Sequence, residues 1–453
     1  MKIIIAGAGK VGAAVASLLA DEGHDITIID RSTERIDNLS NNLDVICVQG
    51  SATDAETLIE AGAKDADLVV AATRNDEINM VCGISAKKLG TKHVVARIRD
   101  TAYINQLEFL REALGLSTVI NPELECAREI SRILRFPSAI FVDLFSNGRV
   151  EMIKHRISLD SKLNGKKLRE LTQIFGAKVL VGVVIHDGEA NIPDGNFTLS
   201  AGDVISVLGS AAELRKFFLA TGEFKKPVKT VMIMGGGRIA VYLAKLLLET
   251  GMKVSVVEKS SGRCEELCDE LPGAKIICAD ATRGDILREE GLDKVDAFVA
   301  LTGDDGSNII TAMFAENCKV GKIVVKVNQD YYSDILVGAK LDSVVTPRML
   351  ISQQLARYVR AMSNSKASSM ETLYQLAGGK VEAMEFSVEE GAACIGKALK
   401  NLNIKKNTIV AAIVRGKQTI IPDGNTDIRS GDRVVIIAMA GKIKTLDSIL
   451  EVR

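Results

Sequence analysis

The chain opens with Lys2-Ile3-Ile4-Ile5-Ala6-Gly7-Ala8-Gly9-Lys10-Val11-Gly12, and Ile26-Thr27-Ile28-Ile29-Asp30 follows a short distance on. Ile3 to Ala6 is an apolar run of the length of a buried parallel strand. Gly7, Gly9 and Gly12 then stand in G-x-G-x-x-G spacing, and Val11, Val15, Leu18 and Leu19 recur at helical intervals. The first glycine permits a tight turn, the second lets backbone N–H groups approach a phosphate, and the third lets helix and strand pack closely. The helix N-terminus, with its unpaired N–H groups and partial positive charge, attracts an anion. Asp30 ends the second strand where an acid would hold a ribose hydroxyl. This stretch predicts a dinucleotide site formed by Gly7, Gly9, Lys10, Val11, Gly12 and Asp30.

The same design occurs twice. Gly235-Gly236-Gly237-Arg238-Ile239-Ala240 repeats the glycine loop, and Glu258 repeats Asp30 after the strand Val254 to Val257. Gly50-Ser51-Ala52-Thr53 recurs as Ala279-Asp280-Ala281-Thr282, and Val70-Ala71-Ala72-Thr73 as Val299-Ala300-Leu301-Thr302. Asn79 matches Asn308, Ala96-Arg97-Ile98 matches Val325-Lys326-Val327, Tyr103 matches Tyr332, and Asn121-Pro122 matches Thr346-Pro347. An ordered series of this kind marks a duplicated unit.

Within each copy apolar strand runs alternate with helical periodicity, which predicts an α/β fold: a doubly wound parallel sheet with helices on both faces. The expected strands in the first copy are Ile3–Ala6, Ile26–Asp30, Val45–Val48, Leu68–Ala72, His93–Ile98 and Ser117–Ile120. Helices are expected over Asp54–Ala61, Asp76–Leu89 and Ala102–Leu114. Glu123 to Leu134 is an amphipathic helix with Leu124, Ala127, Ile130, Ile133 and Leu134 on one side, and Leu350–Val359 is its counterpart. A stripe that large is expected to pack across a domain–domain or subunit interface.

From about Ser138 short β-runs and turn clusters take over, as in Ile192-Pro193-Asp194-Gly195-Asn196 and its repeat Ile421-Pro422-Asp423-Gly424-Asn425. Each nucleotide domain is thus followed by a small α+β module. The expected boundaries are 1–136 and 137–224 for the first half, 225–362 and 363–453 for the second. The seam falls at Phe224-Lys225-Lys226-Pro227, and a hinge is expected at Ser363 to Ser369.

Composition narrows the function. The chain has 453 residues, is 47% hydrophobic and carries a formal net charge of -1, with no Trp and 4% aromatics. Neither the basic face of a nucleic-acid binder nor a base-stacking platform is in view. The eight cysteines lack metal spacing, and the i, i+4 pair Cys264 and Cys268 reads as filler. No apolar run approaches the length of a membrane span, and no leader precedes the first strand, so a cytoplasmic protein is expected.

Catalytic residues are not evident. A nicotinamide-dependent oxidoreductase, the alternative reading, needs a proton donor or acceptor beside the hydride site. The histidines His24, His93, His155 and His186 have no repeated counterparts; Met252, Lys322, Phe386 and Arg415 stand in their places. The sequence therefore reads as a nucleotide site with no reaction attached.

The doubled arrangement resembles the TrkA family of bacterial Trk potassium-uptake peripheral proteins, in which each half is an RCK (regulator of potassium conductance) unit. The motifs that carry the likeness are Gly7-x-Gly9-x-x-Gly12, Asp30, Gly50-Ser51-Ala52-Thr53, Ala72-Thr73 and Ala96-Arg97-Ile98-Arg99, and it covers essentially the whole chain. The resemblance implies a non-enzymatic regulatory subunit on the cytoplasmic face of the membrane. Its partner would be a membrane-spanning potassium transporter, gated through a homo-oligomeric ring. NAD(H) is the implied cofactor, with ATP or ADP as further occupants, and a second-messenger nucleotide at the C-terminal modules is compatible with this. By the same resemblance Ser51, Ala52 and Thr53 border the adenine, Thr73 lines the phosphates, and Arg97 and Arg99 meet phosphate oxygens. In the second half the corresponding residues are Gly235, Gly237, Arg238, Ile239, Glu258, Asp280, Thr302 and Lys326. Ala240 replaces Gly12 and Asn328 replaces Arg99 there, so less fixed positive charge is expected.

Overall fold

A computed structural model of the chain describes residues 1–453 apart from 101, 102, 104, 105, 137, 138, 224–226, 330–340, 342, 365–369, 444, 452 and 453. The expected seam at residues 224–226, most of the expected hinge (365–369) and Tyr332 lie outside the described residues. In the first half strands and helices alternate as β1 (Lys2–Ala6), α1 (Lys10–Asp21), β2 (Asp25–Asp30), α2 (Thr33–Asn42), β3 (Ile46–Gln49), α3 (Ala55–Glu60), β4 (Leu68–Ala71), α4 (Asp76–Leu89), β5 (His93–Arg97), α5 (Leu107–Ala113) and β6 (Thr118–Ile120). The strands form one parallel sheet in the order β3-β2-β1-β4-β5-β6. Strand order reverses between β1 and β4, and a ligand crevice opens beyond strand ends at such a switch point.

Local sequence sets the element ends. Asp54 accepts a hydrogen bond from the Thr57 N–H at 3.0 Å and so caps α3, while Asn75 accepts from the Ile78 N–H at 2.8 Å and caps α4. Gly90 closes α4 with φ +117, a conformation a side chain would strain. Asn121 accepts from the Leu124 N–H at 2.9 Å, and Pro122 takes the first helical position, where its missing N–H costs nothing. That pair starts α6 (Pro122–Arg135).

The second half repeats the plan as β12 (Thr230–Met234), α9 (Arg238–Glu249), β13 (Lys253–Glu258), α10 (Ser261–Glu270), β14 (Lys275–Cys278), α11 (Gly284–Glu289), β15 (Ala297–Ala300), α12 (Asp305–Asn317), β16 (Lys322–Lys326), β17 (Val344–Val345) and α13 (Pro347–Asn364). Its sheet order is β14-β13-β12-β15-β16-β17, strand for strand the same.

The amphipathic helices settle how the halves join. Cys126, Ala127, Ile130, Ile133 and Leu134 of α6 sink into the core of the second half, against Val241, Ala244 and Leu247 of α9. Ile351, Leu355, Ala356 and Val359 of α13 sink into the core of the first half, against Val15, Ala16 and Leu19 of α1. Each helix thus completes the other copy's nucleotide domain, and the stripe read from sequence is a domain–domain interface within one chain. Fully burying an Ile or Leu side chain contributes about 1.5–3 kcal/mol, so the exchange commits both halves to one assembly. A polar tie reinforces it: Arg360 of α13 donates through Nε to Glu22 at 3.2 Å, just past α1.

The small modules are antiparallel sheets. The first comprises β7 (Phe141–Phe145), β8 (Val150–Arg156), α7 (Leu171–Phe175), β9 (Leu180–His186), β10 (Glu189–Asn191), β11 (Val204–Gly209) and α8 (Ala211–Thr221). The second comprises β18 (Met370–Leu376), β19 (Val381–Ser387), β20 (Thr408–Arg415), β21 (Gln418–Ile420) and β22 (Arg433–Met439). They pack on each other through Phe145, Val183 and Leu208 of one and Ala383, Ala412 and Ile437 of the other. Gly182 is what allows this closeness, because a Cβ there would lie 2.2 Å from Ile437 Cδ1.

Candidate functional site

Both glycine loops fold as their spacing requires. Gly7 has φ +113, and a Cβ on it would lie 3.0 Å from the Ala72 carbonyl. A Cβ on Gly12 would lie 1.8 Å from the Gly7 oxygen, so this glycine seats α1 on β1. Gly9 differs in kind. Its φ of −76 suits any residue, and a Cβ would meet nothing within 4 Å. The protein does not need a glycine there; an approaching phosphate does. Gly235 (φ +96) and Gly237 (φ −73, with open space at Cβ) repeat the pattern.

Asp30 anchors the first loop. Its carboxylate accepts from the Ala8 N–H at 2.7 Å and from the Ser32 N–H at 2.9 Å. Glu258 does the same for Gly236 at 2.7 Å and Ser260 at 2.9 Å. Each carboxylate oxygen keeps a further lone pair for a ribose hydroxyl. Beside Asp30, Arg35 approaches to 3.7 Å, and Arg31 donates to Ser51 Oγ at 2.7 Å. Ser51 Oγ lies 2.9 Å from Thr53 Oγ1, so Thr53 holds Ser51 and does not itself line the crevice.

Thr73 is held at the end of β4 by Asn79, a fully buried residue of α4. Asn79 Oδ1 accepts from the Thr73 N–H at 2.8 Å and its hydroxyl at 2.6 Å, and Nδ2 donates to the Arg97 carbonyl at 2.8 Å. Asn308 does the same for Thr302 and Lys326. The repeat of Asn79 as Asn308 was visible in sequence. Its task of joining two strand ends was not.

These residues line a crevice of about 1250 Å³, and its far wall belongs to the other half of the chain. Gly7, Gly9, Lys10, Val11, Asp30, Ser51, Ala52, Thr73, Arg97 and Arg99 line one side, while Ile239, Lys326, Asn328, Pro347 and Arg348 line the other. Lys326 and Ile239, which correspond by repeat to the second loop's surroundings, thus stand at the first. Glu123 sits among the cations, 3.5 Å from Arg97 and 3.9 Å from Arg99. Burial depresses the Arg97 guanidinium from its ordinary value, opposed by Glu123, and burial likewise lowers the Lys326 ammonium. Arg97 Nε is buried without a hydrogen-bond partner. A half-buried guanidinium and a buried ammonium beside a phosphate-ready loop fit a polyphosphate.

The second half also secures this wall. Tyr242 of α9 donates to the Arg99 carbonyl at 2.9 Å, and Asn121 Nδ2 donates to the Tyr242 hydroxyl at 3.3 Å. Asp76 accepts from the Arg99 and Asp100 N–H groups at 2.8 and 2.9 Å. Sequence spacing carries no signal for Arg348, which lines the crevice because α13 crosses to the first half, or for Tyr242, which meets the Arg99 carbonyl across the same junction.

The second crevice is smaller, about 460 Å³, and is lined by its own half alone. Gly235, Gly237, Glu258, Asp280 and Thr302 are there, with Lys259 as the lone basic residue of the lining and Asp304 as a further acid. Asp280 turns inward to accept from the Thr282 N–H at 3.0 Å. Arg263 donates through Nε to the Gly236 carbonyl at 2.9 Å and pairs with Glu270 at 2.9 Å, so its charge is already engaged. Arg238 lines neither crevice.

None of the four histidines lines either crevice. His186 Nδ1 lies 2.6 Å from Asp203 in the first module, and Arg415 makes the equivalent pair with Asp432 at 2.8 Å in the second. His155 pairs with Glu223 at 3.2 Å. Among the described residues no group of His, Cys, Asp and Glu is arranged to hold a metal ion, and no helix is long and apolar enough to cross a membrane.

Comparison with known proteins agrees with this architecture. The TrkA-N domain model matches residues 3–122 and again 231–347, and the TrkA-C domain model matches residues 152–221 and 383–451. The chain is 34% identical to the Trk system potassium uptake protein TrkA homologue of Archaeoglobus fulgidus, covering 99% of this chain and 100% of that one. It is 32% identical to the Trk system potassium uptake protein TrkA of Vibrio alginolyticus, covering 98% and 96%. Among solved structures, the GsuK channel bound to NAD superposes with a TM-score of 0.63 at 19% identity, over 97% of this chain and 76% of that one. At that identity the likeness is one of fold.

Proposed function

Because this chain belongs to the TrkA family, we propose that it is a non-enzymatic, nucleotide-binding regulatory subunit that gates a membrane-spanning Trk-type potassium transporter. It acts on the cytoplasmic face of the membrane, through that partner. The observation that carries the nucleotide reading is the cation-lined crevice shared between the halves. NAD(H) or an adenine nucleotide lays its phosphates over Gly9, its ribose on Asp30 and its adenine beside Ser51 and Ala52. Arg97, Arg99 and Lys326 take the distal phosphates. An occupant gripped by both halves favours the arrangement in which they are close, and that differential affinity is what shifts a regulatory equilibrium.

Assembly into a ring has a surface to use. Val81 and Ile84 on α4 are exposed, and Ile310 and Met313 occupy the equivalent positions on α12, also exposed. The same apolar pair on both halves suits a head-to-tail contact between copies. ATP and NADH titrated into the purified protein, followed by co-purification with the transporter, test the proposal. A protein that binds neither nucleotide, or that turns over NADH with a small-molecule substrate, overturns it.

A further inference from the structure

Cys264 and Cys268 on α10 and Cys278 on β14 lie on the two elements that pack beside the strand ending in Glu258. Cys264 and Cys268 are one turn apart on α10, but Cys268 is exposed while Cys264 is buried. The thiol that neighbours Cys264 is that of Cys278, at the exposed end of β14; Cys278 shares a strand face with Ile276, which packs in one core with Leu267 of α10. Both flank Glu258. Cys264 Sγ donates to the Glu258 carbonyl at 3.3 Å, and Cys278 is the register partner of Glu258 in the parallel pair β13–β14. Glu258 in turn holds the glycine loop through the Gly236 N–H. The first half has Ile36 and Gln49 at the corresponding positions, and its Cys47 reaches only the Ile36 carbonyl, at 3.9 Å.

We propose that Cys264 and Cys278 form a reversible dithiol–disulfide site beneath the second crevice, oxidised by a two-electron oxidant of the peroxide class. Cys278 is the thiol that solvent reaches. Its sulfur attacks the peroxide oxygen, breaking the O–O bond, to give a sulfenic acid and one water (or alcohol). The Cys264 sulfur then attacks the Cys278 sulfur and forms the S–S bond. The sulfenic hydroxyl leaves with the Cys264 proton as a second water. Burial, with the neighbouring Cys278 next, pushes the Cys264 thiol up to about 11; it therefore stays protonated and inert until that partner is activated. A small thiol restores both groups by exchange. The bond ties α10 to β14 and removes the Cys264 hydrogen bond to the Glu258 carbonyl, so it acts on the residue that orients the loop.

The disulfide does not depend on what the crevice holds; its effect on binding rests on the proposed nucleotide occupancy. The full-length protein is treated with hydrogen peroxide, its remaining thiols are alkylated, and its peptides are weighed. A Cys264–Cys278 link lighter by two hydrogens, reversed by dithiothreitol, retained in Cys268→Ser and lost in Cys278→Ser, is the expected result. A Cys264–Cys268 link, or full alkylation of both Cys264 and Cys278, overturns the site. In Cys268→Ser, NADH at the second crevice is expected to bind about two- to tenfold more weakly after oxidation, the worth of one net hydrogen bond. Two filled sites with equal affinities in both redox states overturn the coupling. Binding at the first crevice alone in the reduced protein overturns the occupancy reading, with the peptide map still deciding the dithiol.

Discussion

The two crevices are built from one repeated sequence and differ most where the repeat is broken by tertiary structure. Their floors match: a positive-φ glycine, an open second glycine, an acid clasping the loop, and a buried Asn under a Thr. Their walls do not. The first crevice is about 1250 Å³ and collects Lys10, Arg31, Arg35, Arg74, Arg97 and Arg99 from its own half and Lys326 and Arg348 from the other. The second is about 460 Å³ and has Lys259 facing Glu258, Asp280 and Asp304. Duplication set two equivalent strand ends, at Arg97 and Lys326, and both open into one crevice. One site gained the charge of two. A polyphosphate is therefore expected to favour the first crevice, and NADH to discriminate less between them.

Four experiments break or sharpen this contrast. Removing the helix exchange has the largest expected effect. Ile130→Ala and Leu355→Ala each delete a fully buried side chain at the junction, at a cost of about 2–5 kcal/mol. A lowered urea midpoint, with ATP binding lost ahead of the second crevice's own fold, is the expected pattern; unchanged midpoints would mean that the halves do not depend on each other.

Next comes the Arg pair. Arg97→Ala with Arg99→Ala is expected to weaken ATP by roughly 2–4 kcal/mol, following charge-assisted bonds of about 1.5–3 kcal/mol each in partly screened positions. NADH loses less, because it relies more on Asp30 and the glycine loop. Equal losses for the two ligands in calorimetry would show that these cations do not read distal phosphates.

Lys326→Ala is the direct probe of sharing. A residue of the second half is expected to weaken ATP at the first crevice by about 1.5–3 kcal/mol and leave NADH at the second unchanged. The reverse distribution would return Lys326 to the second site.

The smallest effect is a pH dependence. Burial lowers the Lys326 pKa from 10.5, so its charge is lost earlier than that of an exposed lysine as pH rises. Bound phosphate favours the charged form. ATP affinity is therefore full well below that depressed value, and it falls as alkaline pH carries Lys326 through it. In Lys326→Arg the fall should vanish, since Arg stays charged; a fall that persists would have another origin.

Much of this molecule is legible in the residues. Strand Ile3–Ala6, the turn at Gly7 and the helix after Gly9 follow from spacings of one to four residues, and the structure places β1 and α1 there. The expected strand Leu68–Ala72 ends one residue earlier, at Ala71, since Ala72 already turns toward the crevice. The expected helix Glu123–Leu134 gains Pro122 and Arg135 at its ends, because Asn121 caps it one position sooner. Its partner is longer still, Pro347–Asn364 against Leu350–Val359.

What the sequence by itself determined was everything set by neighbours along the chain: two α/β units, their glycine loops, the acids Asp30 and Glu258, and an apolar stripe on each crossing helix. Backbone sterics and hydrogen-bond spacing act over a few residues, so a few residues suffice to read them. Which surface each stripe covers was decided only by the tertiary structure. Hydrophobic burial is non-directional, and a stripe of Ile and Leu gains as much against α9 as against any apolar face. The exchange of α6 and α13 chose those faces. In doing so it carried Arg348 at the start of α13 into the same crevice as Arg97, and set Tyr242 of α9 on the Arg99 carbonyl.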